Sequence, residues 1–279
     1  MKIFKPSELH SFLKERGMHA KRGLSQNFLI DGNIVQKILD TACISSGDLV
    51  LEIGPGPGAL TEAMLERGAS VIAIEMDKSF AKELQRMQTQ DHRLEIICED
   101  VLNLPLPEFL KSRRNKYKVV ANLPYHITTP ILTLLLPLHH FIESLTIMVQ
   151  KEFAQRMTAK KKAADYSSFT LFLQFYAKVV KSFNVSPNCF FPKPSIHSTV
   201  VHCQLHPPLI KAKSEDFFTL TRTAFGKRRK MLRVSLKNLY DVTVIEKGLI
   251  ALGHSANARP EELSIEEFID FFNFLNNPA

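Results

Sequence analysis

The sequence predicts an α/β fold: a Rossmann-like sheet with helices on both faces, followed by a small all-helical module. Three observations carry that prediction. Short apolar runs alternate with amphipathic stretches from about residue 48, a glycine-rich turn follows the first run, and the alternation ends at His206-Pro207-Pro208. Leu49 to Ile53, Val71 to Ile74, Leu94 to Cys98, Lys118 to Ala121 and Leu145 to Val149 read as strands. Gly58 to Arg67 and Lys78 to Met87 carry apolar residues at helical spacing. Lys178 to Val185 and Ser198 to Leu205 read as a late pair of strands at one edge of the same sheet, separated by the turn Phe191-Pro192-Lys193-Pro194. The two prolines after His206 stiffen the chain and interrupt any continuing ladder. Beyond them Ser214 to Phe225, Lys227 to Tyr240, Val242 to Leu252 and Ile265 to Asn276 read as helices. The predicted division is therefore a first domain at residues 1–206 and a helical one at residues 207–279.

At 279 residues the chain can bury a sizeable core, and 45% hydrophobic residues exclude the disordered and fibrous classes. With 36 basic against 28 acidic residues the net charge is +8, which favours a polyanionic partner, either nucleic acid or an anionic membrane surface. The four cysteines form no C-x-x-C pair and imply reduced thiols in a cytoplasmic setting. Ile131 to Leu138 is the longest apolar stretch, far too short for a bilayer, and Met1 to Gly17 lacks the apolar segment of a secretion signal. No Cys/His cluster has zinc-finger spacing and no Ser, Cys or Lys stands in a nucleophile motif, so neither a metal nor covalent catalysis is expected.

The turn "LEIGPGPGALT" puts Gly54, Gly56 and Gly58 where a first strand ends and a ligand can approach the backbone. It lacks the Gly-Lys-Ser/Thr of a Walker loop, and as a dinucleotide fingerprint it has Ala59 at the sixth position. Pro55 and Pro57 have no N–H, so the turn is poor in donors for a pyrophosphate. S-adenosylmethionine, a nucleoside without phosphate, suits it better. Glu75 closes the second strand, where an acid can accept from both ribose hydroxyls, and Asp100 ends the third, where an acceptor can meet an adenine amino group. Taken alone, either acid could as well cap a helix.

"NLPY" follows the strand Lys118 to Ala121. An exocyclic adenine amine is a poor nucleophile because its lone pair is delocalised into the ring. The Asn122 side-chain oxygen and the Leu123 carbonyl can each accept an N–H, drawing the nitrogen toward tetrahedral geometry. Pro124 stiffens the turn and Tyr125 offers a face for stacking.

These motifs together resemble the ribosomal RNA adenine dimethyltransferase family. "KRGLSQNFLID", "LEIGPGPGALT", "IEMD", "EDVL", "NLPY", "QKEFAQRM", "FFPKPSIHSTVV", "FGKRRKMLRVSL" and "RPEELS" match it in order over nearly the whole chain. The resemblance implies S-adenosylmethionine-dependent dimethylation of N6 on two adjacent adenosines in the 3′-terminal hairpin of 16S rRNA, within a pre-ribosomal particle and by a monomeric enzyme. It implies that the cofactor meets Asn27, Leu29, Gly54, Glu75, Asp100 and Asn122. The target base would meet Asn122, Leu123 and Tyr125, with Phe191 stacking from its other side. His126, Ser25 and Lys193 depart from the family pattern.

Arg222, Lys227, Arg228, Arg229, Lys230 and Arg233 crowd what reads as one short helix. Further basic patches stand at Lys111 to Lys118, Lys160 to Lys162 and Lys21-Arg22, as a folded RNA held by its backbone would require. Two alternatives remain: a methyltransferase for another adenine-containing substrate, and a non-catalytic RNA-binding assembly factor.

Overall fold

The computed structural model describes residues 3–20, 26–88, 90, 92–111, 115–210, 214–227 and 229–277. Its strands are β1 (Phe28–Leu29), β2 (Leu49–Ile53), β3 (Ser70–Ile74), β4 (Leu94–Ile97), β5 (Tyr117–Asn122), β6 (Ile142–Gln150), β7 (Ala177–Val185), β8 (Phe190–Phe191) and β9 (Ser198–Leu205). Its helices are α1 (Pro6–Glu15), α2 (Gly32–Thr41), α3 (Ala59–Glu66), α4 (Lys78–Leu84), α5 (Leu106–Leu110), α6 (Thr128–Leu135), α7 (Lys151–Met157), α8 (Ser168–Tyr176), α9 (Ser214–Gly226), α10 (Leu232–Ser235), α11 (Val242–Ala251) and α12 (Ile265–Asn276). The chain divides into one compact unit of Met1–Ala154 with Lys178–His206 and another of Gln155–Ala177 with Pro207–Ala279.

In the first unit a seven-stranded sheet runs β4-β3-β2-β5-β6-β9-β7. Numbered by chain order within the sheet, that is 3-2-1-4-5-7-6. β2 pairs in parallel with β3 and β5, β5 with β6, and β9 alone of these runs antiparallel to its neighbour β6. The chain leaves β2 toward β3 on one side and returns to β5 on the other. This reversal opens a crevice at the carboxyl ends of β2 and β5, where open α/β sheets bind ligands.

Register decides which residues meet there. Ile53 lies level with Ile74 and with Ala121, so the next residues, Gly54, Glu75 and Asn122, emerge together at one edge. Beneath them Val50, Val71, Ala73 and Val120 pack with Val35, Ile38 and Leu39 of α2 and with Leu60, Ala63 and Met64 of α3, in one buried cluster. Asp31 starts α2 by accepting hydrogen bonds from the N–H groups of Asn33 and Ile34, at 2.9 and 3.2 Å. The N-terminal helix α1 is an element the apolar-run reading passes over. It has Pro6 at its first turn and buries Leu9, Phe12 and Leu13 beside Phe28, Ala59 and Phe80.

Among the described residues the regular elements of the second unit are helices, apart from the first residue of β7. The sequence pattern keeps residues 155–177 with the sheet; packing gives them to the helices. The reason is aromatic burial: Phe175 of α8 stacks on Phe217 of α9 with centroids 5.3 Å apart and meets Phe218 edge-on at 4.8 Å. Tyr166 donates its hydroxyl proton to the Leu263 carbonyl at 3.0 Å, and Lys162 N donates to the Glu261 carbonyl at 2.7 Å. A second correction concerns the helix expected from Lys227 to Tyr240. α9 ends at Gly226, Lys230 N closes a turn on the Lys227 carbonyl at 2.7 Å, and among the described residues of that range only Leu232–Ser235 is helical. Adjacent cations repel one another on a helix, and Gly226 is a weak helix former.

The glycine turn makes a testable distinction. Gly54 sits at φ +67° with nothing near an added Cβ, whereas Gly58 sits at φ +93° and an added Cβ would lie 2.6 Å from Met87 Cε and 2.8 Å from Leu84 Cδ2. Gly54→Ala is expected to destabilise by about 1–2 kcal/mol through backbone strain alone. Gly58→Ala should cost visibly more in the same urea titration; the reverse order would show that the turn is not held as described.

Candidate active site: an acid-lined crevice beside Asn122

A cavity opens at the edge formed by Gly54, Glu75 and Asn122, enclosing about 970 Å³ of empty space partly continuous with solvent. Of the residues expected to serve cofactor or base, Asn27, Leu29, Gly54, Glu75, Asp100, Asn122, Leu123 and Tyr125 all line it. Phe191 is not in its lining. It stands across the two-residue β1–β8 ladder from Phe28, which is, and its ring meets that of His10 edge-on at 5.2 Å.

The turn after β2 has used its donors internally. Gly54 N donates to the Ile74 carbonyl at 2.9 Å, Gly56 N to Glu75 Oε2 at 2.9 Å and Gly58 N to the Pro55 carbonyl at 3.0 Å. Pro55 and Pro57 have no N–H, so residues 54–58 retain none for a phosphate. Arg86 braces the turn from behind, donating from Nη2 to the Pro57 carbonyl at 2.6 Å while its guanidinium lies 4.6 Å from the centre of the Phe12 ring.

Glu75 accepts from Gly56 N on one oxygen and from Asp77 N, at 2.8 Å, on the other. A carboxylate has about four acceptor positions, so these bonds leave capacity for a ligand hydroxyl. Burial raises its pKa, and those two amide bonds oppose the rise. Asp100 caps a short 3₁₀ turn by accepting from Leu102 N at 3.0 Å through Oδ1, leaving Oδ2 for a ligand donor. Asn122 donates from Nδ2 to the Asn27 carbonyl at 2.9 Å. That bond sets the amide's orientation and turns Oδ1, an acceptor, the other way.

Glu52 is a cavity residue that sequence reasoning missed. It is 1% exposed, lines the cavity and accepts from Thr61 Oγ1 at 2.6 Å. Burial pushes its carboxyl up to about 8; the Thr61 bond works against this and the nearby Glu75 charge adds to it. The available signal was a charge in the middle of the apolar run "LVLEI". Glu99 also lines the cavity, giving with Glu52, Glu75 and Asp100 four carboxyl groups against no Lys, Arg or His among the described lining residues. Such a lining attracts a cation and repels a phosphate.

Outside this crevice the basic residues divide. Lys227, Arg229 and Lys230 are exposed in the turn after α9, which corrects the expected single helix. Arg222 lies 3.9 Å from Glu215, and Arg233 is tied to Glu246 at 3.4 Å and to Asn257 at 3.0 Å. Lys118 is occupied internally, donating to Asp48 at 2.9 Å and to the Cys43 carbonyl at 2.8 Å. Lys21, Arg22, Ser25, Arg113, Arg114 and Arg228 lie outside the described residues, as does the side chain of His126. Among the described residues no group of three or more His, Cys, Asp or Glu is arranged to hold a metal, and no helix is long and apolar enough to cross a membrane. His202 and His206 have H-x-x-x-H spacing, but on extended chain that separates them by about 13 Å.

A sheet with an antiparallel strand set inside its edge, carrying an acidic crevice whose glycine turn has no free N–H, fits the class of S-adenosylmethionine-dependent methyltransferases. Comparison with known proteins narrows it. The family profile described as ribosomal RNA adenine dimethylase matches residues 17–277. A ribosomal RNA small subunit methyltransferase A of Protochlamydia amoebophila is 52% identical over 278 residues, covering 99% of this chain and 98% of the relative. The protein of that name from Chlamydia trachomatis serovar L2 is 48% identical, covering 97% of each. Among solved structures, a dimethyladenosine transferase from Plasmodium falciparum aligns with a TM-score of 0.72 at 26% identity, covering 88% of this chain and 97% of that one. The 23S rRNA methyltransferase ErmE aligns at 0.70 and 25% identity, covering 90% and 100%. The chain belongs to the ribosomal RNA adenine dimethylase family, and it is an S-adenosylmethionine-dependent enzyme that dimethylates adenine in ribosomal RNA.

The buried acid gives a pH signature without any ligand. Because Glu52 titrates near 8 in the folded chain and in the ordinary carboxyl range when unfolded, the folded state holds the extra proton between those values. Stability from this group is complete below the unfolded pKa and is lost as pH rises toward 8, by about 1.4 kcal/mol per pH unit. The melting temperature should therefore fall between pH 6 and 8 by on the order of 2–4 °C per kcal/mol lost. Glu52→Gln should flatten that fall, and an unchanged slope would show that Glu52 is ionised in the empty cavity.

Proposed function

We propose that S-adenosylmethionine binds in this crevice, with Glu75 taking the ribose hydroxyls, Asp100 the adenine amine, and Asn27, Leu29 and Gly54 completing the walls. The target would be N6 of two adjacent adenosines in the 3′-terminal hairpin of 16S rRNA, met by a monomer in the cytoplasm while the small subunit is still being assembled. The names of the chlamydial relatives favour the small subunit. The observation that carries the reading is the tethered Asn122 amide, whose acceptor oxygen shares one crevice with Tyr125 and four carboxyl groups.

S-adenosylmethionine, when bound, supplies a methyl group on a sulfonium, an electrophile with a good leaving group. The chain supplies position. Asn122 Oδ1 and the Leu123 carbonyl accept hydrogen bonds from the N6–H groups and draw the nitrogen out of conjugation, so that its lone pair faces the methyl. Tyr125 holds the base by stacking, with Phe191 as the candidate for the opposite face. The carboxylates of Glu75, Glu99 and Asp100 favour a cation in the crevice, while Glu52 keeps its proton at neutral pH. No side chain needs to act as base, since the product ammonium can lose its proton to water; orientation provides most of the rate.

The turn that holds Lys227, Arg229 and Lys230, with Arg228, Arg222 and Arg233 in adjoining sequence, is the proposed backbone-binding surface. Incubation with labelled S-adenosylmethionine and unmodified small subunits should yield dimethyladenosine, and Asn122→Ala should reduce its formation at saturating cofactor by about 10²-fold or more. Label on another nucleoside or on protein would redirect the assignment. Separately, Lys227→Glu with Arg229→Glu should weaken RNA binding and lower its logarithmic salt slope by about 0.9 for each phosphate no longer neutralised. Equal loss of cofactor binding in that variant would indicate misfolding instead.

A further inference from the structure

Tyr125 has a partner outside the crevice. Its phenolic oxygen lies 2.9 Å from Ser198 Oγ, and Ser198, the first residue of β9, is fully buried. In the sheet β6 stands between β5, which leads into Tyr125, and β9, where Ser198 sits opposite Gln150 of β6. The bond therefore reaches across one intervening strand, joining residues 73 apart in sequence.

Two features suggest that this bond does more than satisfy two hydroxyl groups. First, Ser198 is anchored where it stands: on one side the His197 carbonyl accepts from Lys151 N at 3.0 Å, and on the other Thr199 Oγ1 donates to Asn184 at 3.0 Å. A phenol bonded to so fixed a point cannot swing. Second, phenylalanine would present the same stacking face as tyrosine; the hydroxyl adds something only if it is held. Burial raises the Tyr125 pKa while the Ser198 bond opposes the rise.

We propose that Ser198 is a positioning residue for methyl transfer, fixing through the phenol the tilt of the Tyr125 ring against which the target adenine lies. The inference rests on the reading that Tyr125 stacks on that base. Its demand is greatest in the second round, when an amine already bearing one methyl must be seated again. Loosening the ring should then raise the share of monomethyladenosine, which a loss of folded protein would not do.

The experiment compares wild type with Ser198→Ala, Tyr125→Phe, their combination and Tyr125→Ala as full-length chains. The readouts are kcat and KM on unmodified small subunits, the ratio of mono- to dimethyladenosine, cofactor affinity and melting temperature. Ser198→Ala and Tyr125→Phe should each lower kcat by about tenfold, within the ~10²-fold that an ångström of misplacement costs. Each should raise the monomethyl share and leave cofactor affinity within about twofold, and the double variant should be no slower than Tyr125→Phe, because the two changes break one bond. Wild-type rates in either single variant, or losses that multiply in the double, would overturn the inference. If Ser198→Ala does not fold, Tyr125→Phe alone decides. An inactive Tyr125→Ala beside a fully active Tyr125→Phe would refute the Ser198 role and preserve stacking; an active Tyr125→Ala would remove the stacking reading itself.

Discussion

One buried carboxylate organises the crevice. Glu75 leaves the end of β3 and takes Gly56 N on one oxygen and Asp77 N on the other. The first bond pins the turn that follows β2, and the second sets the start of α4, whose first turn Asp77 caps by accepting from Ser79 N at 3.1 Å. Two adjacent strand ends are thereby locked at the level where the sheet reverses direction. A buried acid is costly to ionise, and here backbone donors supply the compensation. Glu75 also lines the cavity, so the group that holds the turn is the one proposed to meet the ribose hydroxyls.

That arrangement explains why a Gly-rich turn after a first strand does not hold phosphate here. Dinucleotide sites need N–H groups facing outward, and the Gly56 N–H is already donated in a hydrogen bond to Glu75. Prolines on either side of Gly56 remove two more donors. What survives is a turn that admits a ligand closely, at glycines with positive φ, and offers it acceptors rather than donors. Nucleosides and cations fit such a surface; pyrophosphates do not.

The sheet was legible because buried strands leave local traces. Leu49–Ile53 and Leu94–Ile97 fall within a residue of the apolar runs that announce them, and the acids and the Asn122 quartet follow at the strand ends as α/β topology requires. What stayed hidden depends on packing between distant segments. The bond from Asn122 to the Asn27 carbonyl spans 95 residues, and nothing local marks it. The membership of residues 155–177 turns on aromatic packing of Phe175 with Phe217 and Phe218, which helical periodicity cannot distinguish from packing on a sheet. Lys227, Arg229 and Lys230 are not helical because charge repulsion and Gly226 outweigh propensity over so short a run. Glu52 was overlooked for the opposite reason: its neighbours read so clearly as a strand that the one charge among them passed as incidental.

Precision at the quartet comes from tethers drawn from different parts of the first unit. The N-terminal segment holds the Asn122 amide through Asn27, and β6 holds Leu123, whose N–H donates to the Met148 carbonyl at 3.3 Å. Helix α6 grips the Pro124 carbonyl through the Thr128 hydroxyl at 3.2 Å, and β9 meets Tyr125 at Ser198. Four short residues are thus fixed by four separate elements, none adjacent to them in sequence except α6. The proposed reaction relies on orientation rather than on acid–base groups and would use such redundancy, since the entropy of holding an amine in line with a methyl must be removed before the chemistry begins. It also accounts for the weakness of the quartet as an isolated motif: four residues can match by accident, but the tethers that give them a fixed geometry exist only when the rest of the fold is present.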